Sequence, residues 1–387
     1  MRSLTVVGAS VAGWHLVHAL LAHGYEGPVT VVDRQTHHPY DRPPLSKEFL
    51  LGRRGVEGMR FGDYPSESNV VWRLGVEATA LSDGAVELSD GSILAHDDLV
   101  IATGLRRPDL NLLTSPPQGV HELRTLDDAL KLRLGLVRAR NVVVVGGGFI
   151  GCEVASACRH LSVPVTIVEA DERLGERSLG VHAHLVEALH ETHGTSVITG
   201  ARVTEFVGDP VTAVRLADGR NLSADLVVVG IGSMPATKWL EGSSLELGNG
   251  VRCDTLARTN LPGVYAIGDV AEVESEWASG PRRFEHWTSA VDQAMTLADH
   301  LVGRPPRSPS PPYWWFDIYG HRIQVAGRLD LEDDVRVVDV GGGYLATHHV
   351  DGAPVGVAAV DSPREFARVR RTLTPPFPGP SGSWSAR

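Results

Sequence analysis

Two glycine-rich stretches carry the clearest chemistry in this chain. Gly146-Gly147-Gly148-Phe149-Ile150-Gly151 follows an apolar run, and Glu169 ends the next one. Gly8-Ala9-Ser10-Val11-Ala12-Gly13 sits in the same setting, with Asp33 in the place of Glu169. Between a strand and a helix, the first glycine permits a tight turn, the second lets a pyrophosphate reach the backbone, and the third lets the helix pack closely. The phosphates then meet the free N–H groups and positive dipole end of the helix. The acid at the end of the second strand accepts hydrogen bonds from ribose hydroxyls. Candidate ligands are therefore Gly8, Ser10, Gly13 and Asp33 at one site, and Gly146, Gly148, Gly151 and Glu169 at the other. Ser10 replaces the middle glycine, and its hydroxyl can itself meet a phosphate. Two dinucleotides on one chain imply one held permanently and one exchanged. A carboxylate at 169 repels the 2′-phosphate of NADPH, so NADH is expected over NADPH. Arg173 and Arg177 follow closely enough to compensate.

The elements that must position these groups read as two like units, Leu4 to Asp33 and Asn141 to Glu169. Each is strand, turn, helix, strand, and about 30 residues long, the size of one βαβ unit. Their strands are continuous β-branched runs, as expected for parallel strands buried on both faces. A hairpin turning at Asp90-Gly91 precedes a buried strand, Asp98 to Ala102. The pattern recurs with a hairpin over Arg215 to Arg220 and a buried strand from Ala224 to Gly232. Arg304 to Pro312 is Pro-rich and reads as a stiff linker. Short strands with Asp-Gly and Gly-Gly turns follow, and the Pro-, Gly- and Ser-rich stretch 374–387 reads as a disordered tail.

The 387 residues, 42% hydrophobic, exceed one ordinary core and predict two or three domains. No apolar run reaches the ~20 residues needed to span a bilayer, and the start lacks a signal-peptide pattern, so no membrane role and a cytoplasmic location are expected. Net charge of −11 argues against a nucleic-acid partner. Cys152, Cys158 and Cys253 form no Cys-x-x-Cys pair and read as reduced packing residues, with no metal cluster visible. His37-His38 and His348-His349 lack spaced partners and read as surface residues.

Further motifs sharpen the reading. Pro39-Tyr40-Asp41-Arg42-Pro43-Pro44-Leu45-Ser46-Lys47 resembles, nearly letter for letter, the flavin-loop signature of the FAD-dependent ferredoxin reductase family. These putidaredoxin reductase-like enzymes share the pyridine nucleotide-disulfide oxidoreductase fold and supply electrons to Rieske oxygenases and cytochromes P450. Ala102-Thr103-Gly104, Leu123 to Ala129, Gly263 to Ala271, Glu285-His286-Trp287 and Pro312 to Gly320 resemble further family motifs, so the likeness runs from Leu4 to about Gly356. It implies an α/β fold: two Rossmann-like domains, binding FAD (1–107 and 233–303) and NAD (108–232), and a C-terminal α+β domain (311–373). Disulfide reductases of this fold carry redox cysteines near the loop where this chain has Pro43-Pro44.

The resemblance also implies site residues. Arg42, Lys47 and Arg124 match FAD contacts; Ala12 and Asp33 match pyrophosphate and ribose contacts, and Val76 a backbone contact to the adenosine half. Thr103, Gly104, Gly268, Asp269, Glu285 and His286 fall in matching motifs. Trp287 and Trp315 match tryptophans near the flavin ring, where either is equally explained as core packing. Lys47 and Glu153 are candidates for a buried ion pair beside the ring; alternatively, Glu153 only complements a helix dipole. Trp314 and Phe316 depart from the usual residues and are expected to face the electron acceptor. The implied activity is NADH-dependent reduction of a [2Fe–2S] ferredoxin, by a monomer or homodimer. Direct reduction or oxidation of a small molecule stands as the alternative, and a redox-controlled binding protein is a third reading. Arg304, Arg307, Arg322 and Arg328 are candidates for docking an acidic ferredoxin.

Overall fold

The computed structural model describes residues 2–65, 69–82, 84–108, 114–305, 307–329 and 334–377. Seven α-helices occur among them: α1 (Val11–Ala22), α2 (Leu126–Leu136), α3 (Phe149–His160), α4 (Glu176–Leu179), α5 (Ala183–Thr192), α6 (Trp287–Leu301) and α7 (Pro363–Arg370). None is long and apolar enough to cross a membrane.

The β-branched runs pair as parallel strands because each must bury both faces. In one sheet the order is Val264–Ala266, Asp98–Ile101, Leu4–Val7, Val29–Asp33 and Val70–Leu74, all parallel. In the second it is Ser196–Ile198, Val165–Val168, Val142–Val145, Leu226–Val229 and Val120–Glu122, again parallel. Leu4–Val7 and Val142–Val145, next to the glycine turns, are buried throughout. Each sheet carries an antiparallel three-stranded meander, and both expected hairpins lie within these meanders. This is the doubly wound arrangement, with ligand sites expected beyond the strand C-termini. The third sheet is antiparallel, in the order Tyr313–Ile318, His321–Gly327, Ala353–Val360, Tyr344–Val350 and Asp334–Val338.

The largest hydrophobic core is shared by all three parts. Leu45 and Phe49 of the Pro-rich loop, Leu126 and Leu132 of α2, Val154 and Cys158 of α3, and Phe316 and Ile318 of the third sheet belong to one cluster. The three cysteines are buried and unpaired, and burial pushes their thiols up.

Two expectations need correction. His348 and His349 are buried, not surface residues, because they lie on the interior strand Tyr344–Val350. His348 Nε2 lies 2.8 Å from His182 Nε2, and His182 Nδ1 lies 2.9 Å from the Tyr344 hydroxyl. The expected tail also starts late. The N–H of Thr374 donates to Pro354 O at 2.9 Å, and that of Phe377 to Glu276 O at 3.2 Å. Residues 378–387 lie outside the described residues.

Burial holds His182, His190 and His286 neutral, each with its pKa lowered to about 4. The unfolded chain takes up protons first as pH falls below the ordinary value of about 6.5. Their contribution to stability is thus complete above that pH and is lost down to about 4. Chemical denaturation should therefore show a smaller loss of stability between pH 7 and pH 5 in a His182→Gln/His190→Gln double variant than in the parent. The difference expected is on the order of 1 kcal/mol per histidine per pH unit.

Candidate functional site

The two glycine turns solve the same steric problem twice. Gly8 has φ +116°, and a Cβ there would lie 2.2 Å from Ala102 O; Gly146 has φ +105°, with Gly230 O at 2.4 Å. A Cβ on Gly13 would lie 1.9 Å from Gly8 O, and one on Gly151 2.0 Å from Gly146 O. The middle position is different. Gly148 has φ −73° and Ser10 φ −77°, both extended, and a Cβ on Gly148 would meet nothing within 4 Å. That position asks only for a small residue, so Ser10 fits, and its hydroxyl is not spent on capping α1.

The acids close each turn. Asp33 accepts from the N–H of Ala9 at 2.7 Å and of Gln35 at 2.8 Å. Glu169 accepts from Gly147 N–H at 2.5 Å and Asp171 N–H at 2.9 Å. Arg173 is paired with Glu187 at 3.1 Å and Arg177 with Asp171 at 2.9 Å.

A cleft opens over the first turn. Gly8, Ser10, Ala12 and Asp33 line it from the first unit; Arg42, Val76, Thr103, Gly104, Arg124, Gly268 and Asp269 line it from elsewhere. The motif from Leu123 to Ala129 turns out to be a helix cap that aims Arg124. Thr125 Oγ1 accepts from Asp128 N–H while Asp128 accepts from Thr125 N–H, a capping box starting α2 directly after Arg124. The Arg124 guanidinium donates to Leu105 O at 2.9 Å, and burial lowers its pKa to about 10. Burial also raises Asp269, against the pull of Arg124. Gln293 of α6 anchors the Asp269 turn by accepting from Gly268 N–H at 2.7 Å. Cations at Arg42 and Arg124 beside a glycine turn suit a diphosphate; the acids suit ribose hydroxyls. These donors and acceptors fit FAD in the cleft and a nicotinamide dinucleotide on the second turn.

The expected ion pair is present. Lys47 Nζ lies 2.8 Å from Glu153 Oε1, with Glu153 buried and Lys47 largely so. Glu153 also accepts from Ser46 Oγ at 2.5 Å and from Asp317 N–H at 3.3 Å. Burial pushes the Glu153 carboxyl up, and Lys47, the largest opposing influence, holds it toward the charged form. Glu153 lies beyond the first turn of α3, where no acidic residue stands, so its partners are Lys47 and Ser46 rather than the helix dipole.

Trp287 starts α6, and its indole N–H donates to Asp41 Oδ1 at 2.9 Å. Trp315 lies 6.4 Å from it, inclined at 67°. Glu285 is paired with Arg283 at 2.7 Å, and His286 stacks on Trp314 at 4.5 Å. Strand alternation separates the tryptophans. Tyr313 stacks on Trp315, while Phe316 is buried and stacks on Phe149 of α3 at 4.7 Å. The expectation that Phe316 faces the acceptor is therefore corrected, since Phe316 is interior; Trp314 is half-buried and stacks on His286.

One docking candidate is corrected: Arg328 is buried, donating to Trp277 O at 2.8 Å. Arg304, Arg307 and Arg322 are exposed, the last two paired with Asp299 and Asp317. Sequence reasoning overlooked Asp41 and Ser46, although both stand inside the quoted signature. It also overlooked Gln293, for which no local signal exists.

Comparison with known proteins agrees with this geometry. Residues 2–294 match the family described as pyridine nucleotide-disulphide oxidoreductase. The chain is 36% identical over 382 residues to the ferredoxin–NAD(+) reductase component of the p-cumate 2,3-dioxygenase system of Pseudomonas putida, covering 96% of this chain and 93% of that protein. It is 36% identical over 380 residues to the corresponding subunit of the benzene 1,2-dioxygenase system of Pseudomonas putida, covering 96% and 92%. Among solved structures, the covalent putidaredoxin reductase–putidaredoxin complex superposes with a TM-score of 0.91 at 30% identity, over 96% of this chain and 92% of that one.

Two substitutions test the site. Gly13→Val drives a side chain into Gly8 O, and the purified protein should lose its visible flavin absorbance. Lys47→Met leaves Glu153 buried without its cation, and denaturation should show a loss of about 3 kcal/mol.

Proposed function

The chain belongs to the pyridine nucleotide-disulphide oxidoreductase family, and on that premise we propose that it is an NADH-dependent, FAD-containing reductase of a [2Fe–2S] ferredoxin serving an oxygenase. The observation that carries the reading is the fate of the cysteines. All three are buried and unpaired, and the loop beside Lys47 has Pro43-Pro44. No protein disulfide can take the electrons, so an external acceptor must. The relatives named above are reductase components of dioxygenase systems and a reductase joined to putidaredoxin, which supports a ferredoxin as that acceptor.

In this reading residues 1–107 with 233–303 hold FAD, 108–232 hold NADH, and 311–373 form the C-terminal domain, in a cytoplasmic monomer or homodimer. When bound, the nicotinamide supplies hydride and the flavin converts a two-electron donor into one-electron steps. The protein binds, orients and excludes water. Arg42 and Arg124 hold the flavin diphosphate, and Asp33 and Asp269 accept from its hydroxyls. Gly146, Gly148 and Gly151 admit the second diphosphate, with Glu169 on its ribose. Lys47, paired with Glu153, stabilises negative charge developing beside it. Trp287 and Trp315 keep water from the reacting centre. NADH is preferred because Glu169 repels a 2′-phosphate, while Arg173 and Arg177 are engaged with other carboxylates. The small-molecule alternative drew on Trp314 and Phe316; Phe316 is interior, while half-buried Trp314 stacks on His286.

The test is anaerobic reduction of cytochrome c by NADH with and without several [2Fe–2S] ferredoxins. Strong stimulation by one of them is expected; rapid flavin bleaching with no stimulation by any would count against the ferredoxin and for a small-molecule acceptor. With NADPH in place of NADH, kcat/KM should fall at least about tenfold, and Glu169→Ala should narrow that ratio by weakening NADH use.

A further inference from the structure

Asp41 stands in the loop that bears Lys47, yet its carboxylate points to α6. The indole N–H of Trp287, at 2.9 Å, is the hydrogen-bond donor to that carboxylate among the described residues. The bond joins residues far apart in the chain, and both ends are fixed. Asp41 N–H donates to Met59 O at 2.7 Å, Leu45 N–H to Arg42 O at 2.8 Å, and Pro43–Ser46 forms a 3₁₀ turn, so the loop has one conformation to offer. At the other end Trp287 begins α6, where Gly268 is tied to Gln293. The indole is further bounded by His15, edge-on at 5.5 Å, and by Trp315.

A contrast within the molecule shows that this bond is not incidental. Trp72, Trp239, Trp277 and Trp314 have buried indole N–H groups with no hydrogen-bond partner. Trp287 alone of these five is given a carboxylate, and burial of that carboxylate works against its charge, raising Asp41. Packing needs only the indole's shape. A charged acceptor adds direction, fixing rotation of the ring about its own axis.

We propose that Asp41 is a positioning residue for hydride transfer: by holding the Trp287 N–H it sets the plane of the indole that walls the reacting centre beside Lys47. The inference rests on the reading above that Trp287 stands at the flavin ring.

The test uses full-length, FAD-loaded protein and has a readout independent of turnover. Labelling tryptophan with ¹⁵N gives eight indole N–H groups, and Trp287→Phe identifies the one that matters. Asp41→Ala should move that resonance out of its hydrogen-bonded position, and Asp41→Asn, which keeps an acceptor oxygen, should restore it. Stopped-flow reduction by NADH should slow about tenfold in Asp41→Ala and in Trp287→Phe, with Asp41→Asn close to the parent. In the Trp287→Phe background, Asp41→Ala should cost less than about twofold more, since the partner is already gone. Should Asp41→Ala fail to fold, Asp41→Ser, too short to reach the indole, takes its place in the cycle. An unmoved Trp287 resonance, or an equal loss in both backgrounds, overturns the tether while leaving Trp287 at the flavin. A Trp287→Phe enzyme reduced at the parent rate removes Trp287 from the reacting centre, and the tether's role with it.

Discussion

One buried carboxylate ties this molecule together. Glu153, on α3, receives donors from two other parts of the chain: Ser46 and Lys47 from the Pro-rich loop, and the backbone of Asp317 from the third sheet. Removing a carboxylate and an ammonium from water costs several kcal/mol per ion, and only close, complete pairing offsets that. The pairing exists only while the flavin loop, the second dinucleotide unit and the C-terminal sheet are docked. The shared hydrophobic core binds these parts without direction; Glu153 gives the docking a register.

The two dinucleotide turns show what such a site strictly demands of its sequence. The first and third glycines are required by sterics, because any side chain there meets a carbonyl oxygen at 1.9–2.4 Å, well inside van der Waals contact. The middle residue is required only to be small, because its φ is ordinary and the space beyond it is open. Ser10 is therefore no defect in the first turn. The acids follow the same logic in both units: each accepts a turn N–H, and so stiffens the turn it will serve.

Legibility followed sequence distance. The βαβ units could be read because their rules are local: continuous β-branched runs, a glycine turn, an acid at the next strand end. The hairpins at Asp90-Gly91 and Asp218-Gly219 could be read for the same reason. Lys47 and Glu153 are a hundred residues apart, and only resemblance joined them. His348 looked exposed because its partner His182 lies far back in the chain. Phe316 looked like a surface departure because nothing near it in sequence announces its stack on Phe149. Arg328 looked like a docking cation because the Trp277 carbonyl that receives it belongs to another segment. The signature loop was read for its cations, and the anion within it, Asp41, was passed over.

The pairing of Lys47 with Glu153 also resolves an apparent waste. An ammonium or a carboxylate withdrawn from water is costly without a partner, and each of these two supplies the other's. The pair is neutral as a whole. The two poles are not equivalent, however. Glu153 accepts from three donors, Ser46, Lys47 and Asp317, whereas Lys47 has one carboxylate and one carbonyl partner for its three N–H groups. In the reaction we propose, negative charge arising near Lys47 would meet an ammonium with donor capacity still in hand; a group that acts on developing charge rather than on the resting state supplies the differential stabilisation that catalysis requires.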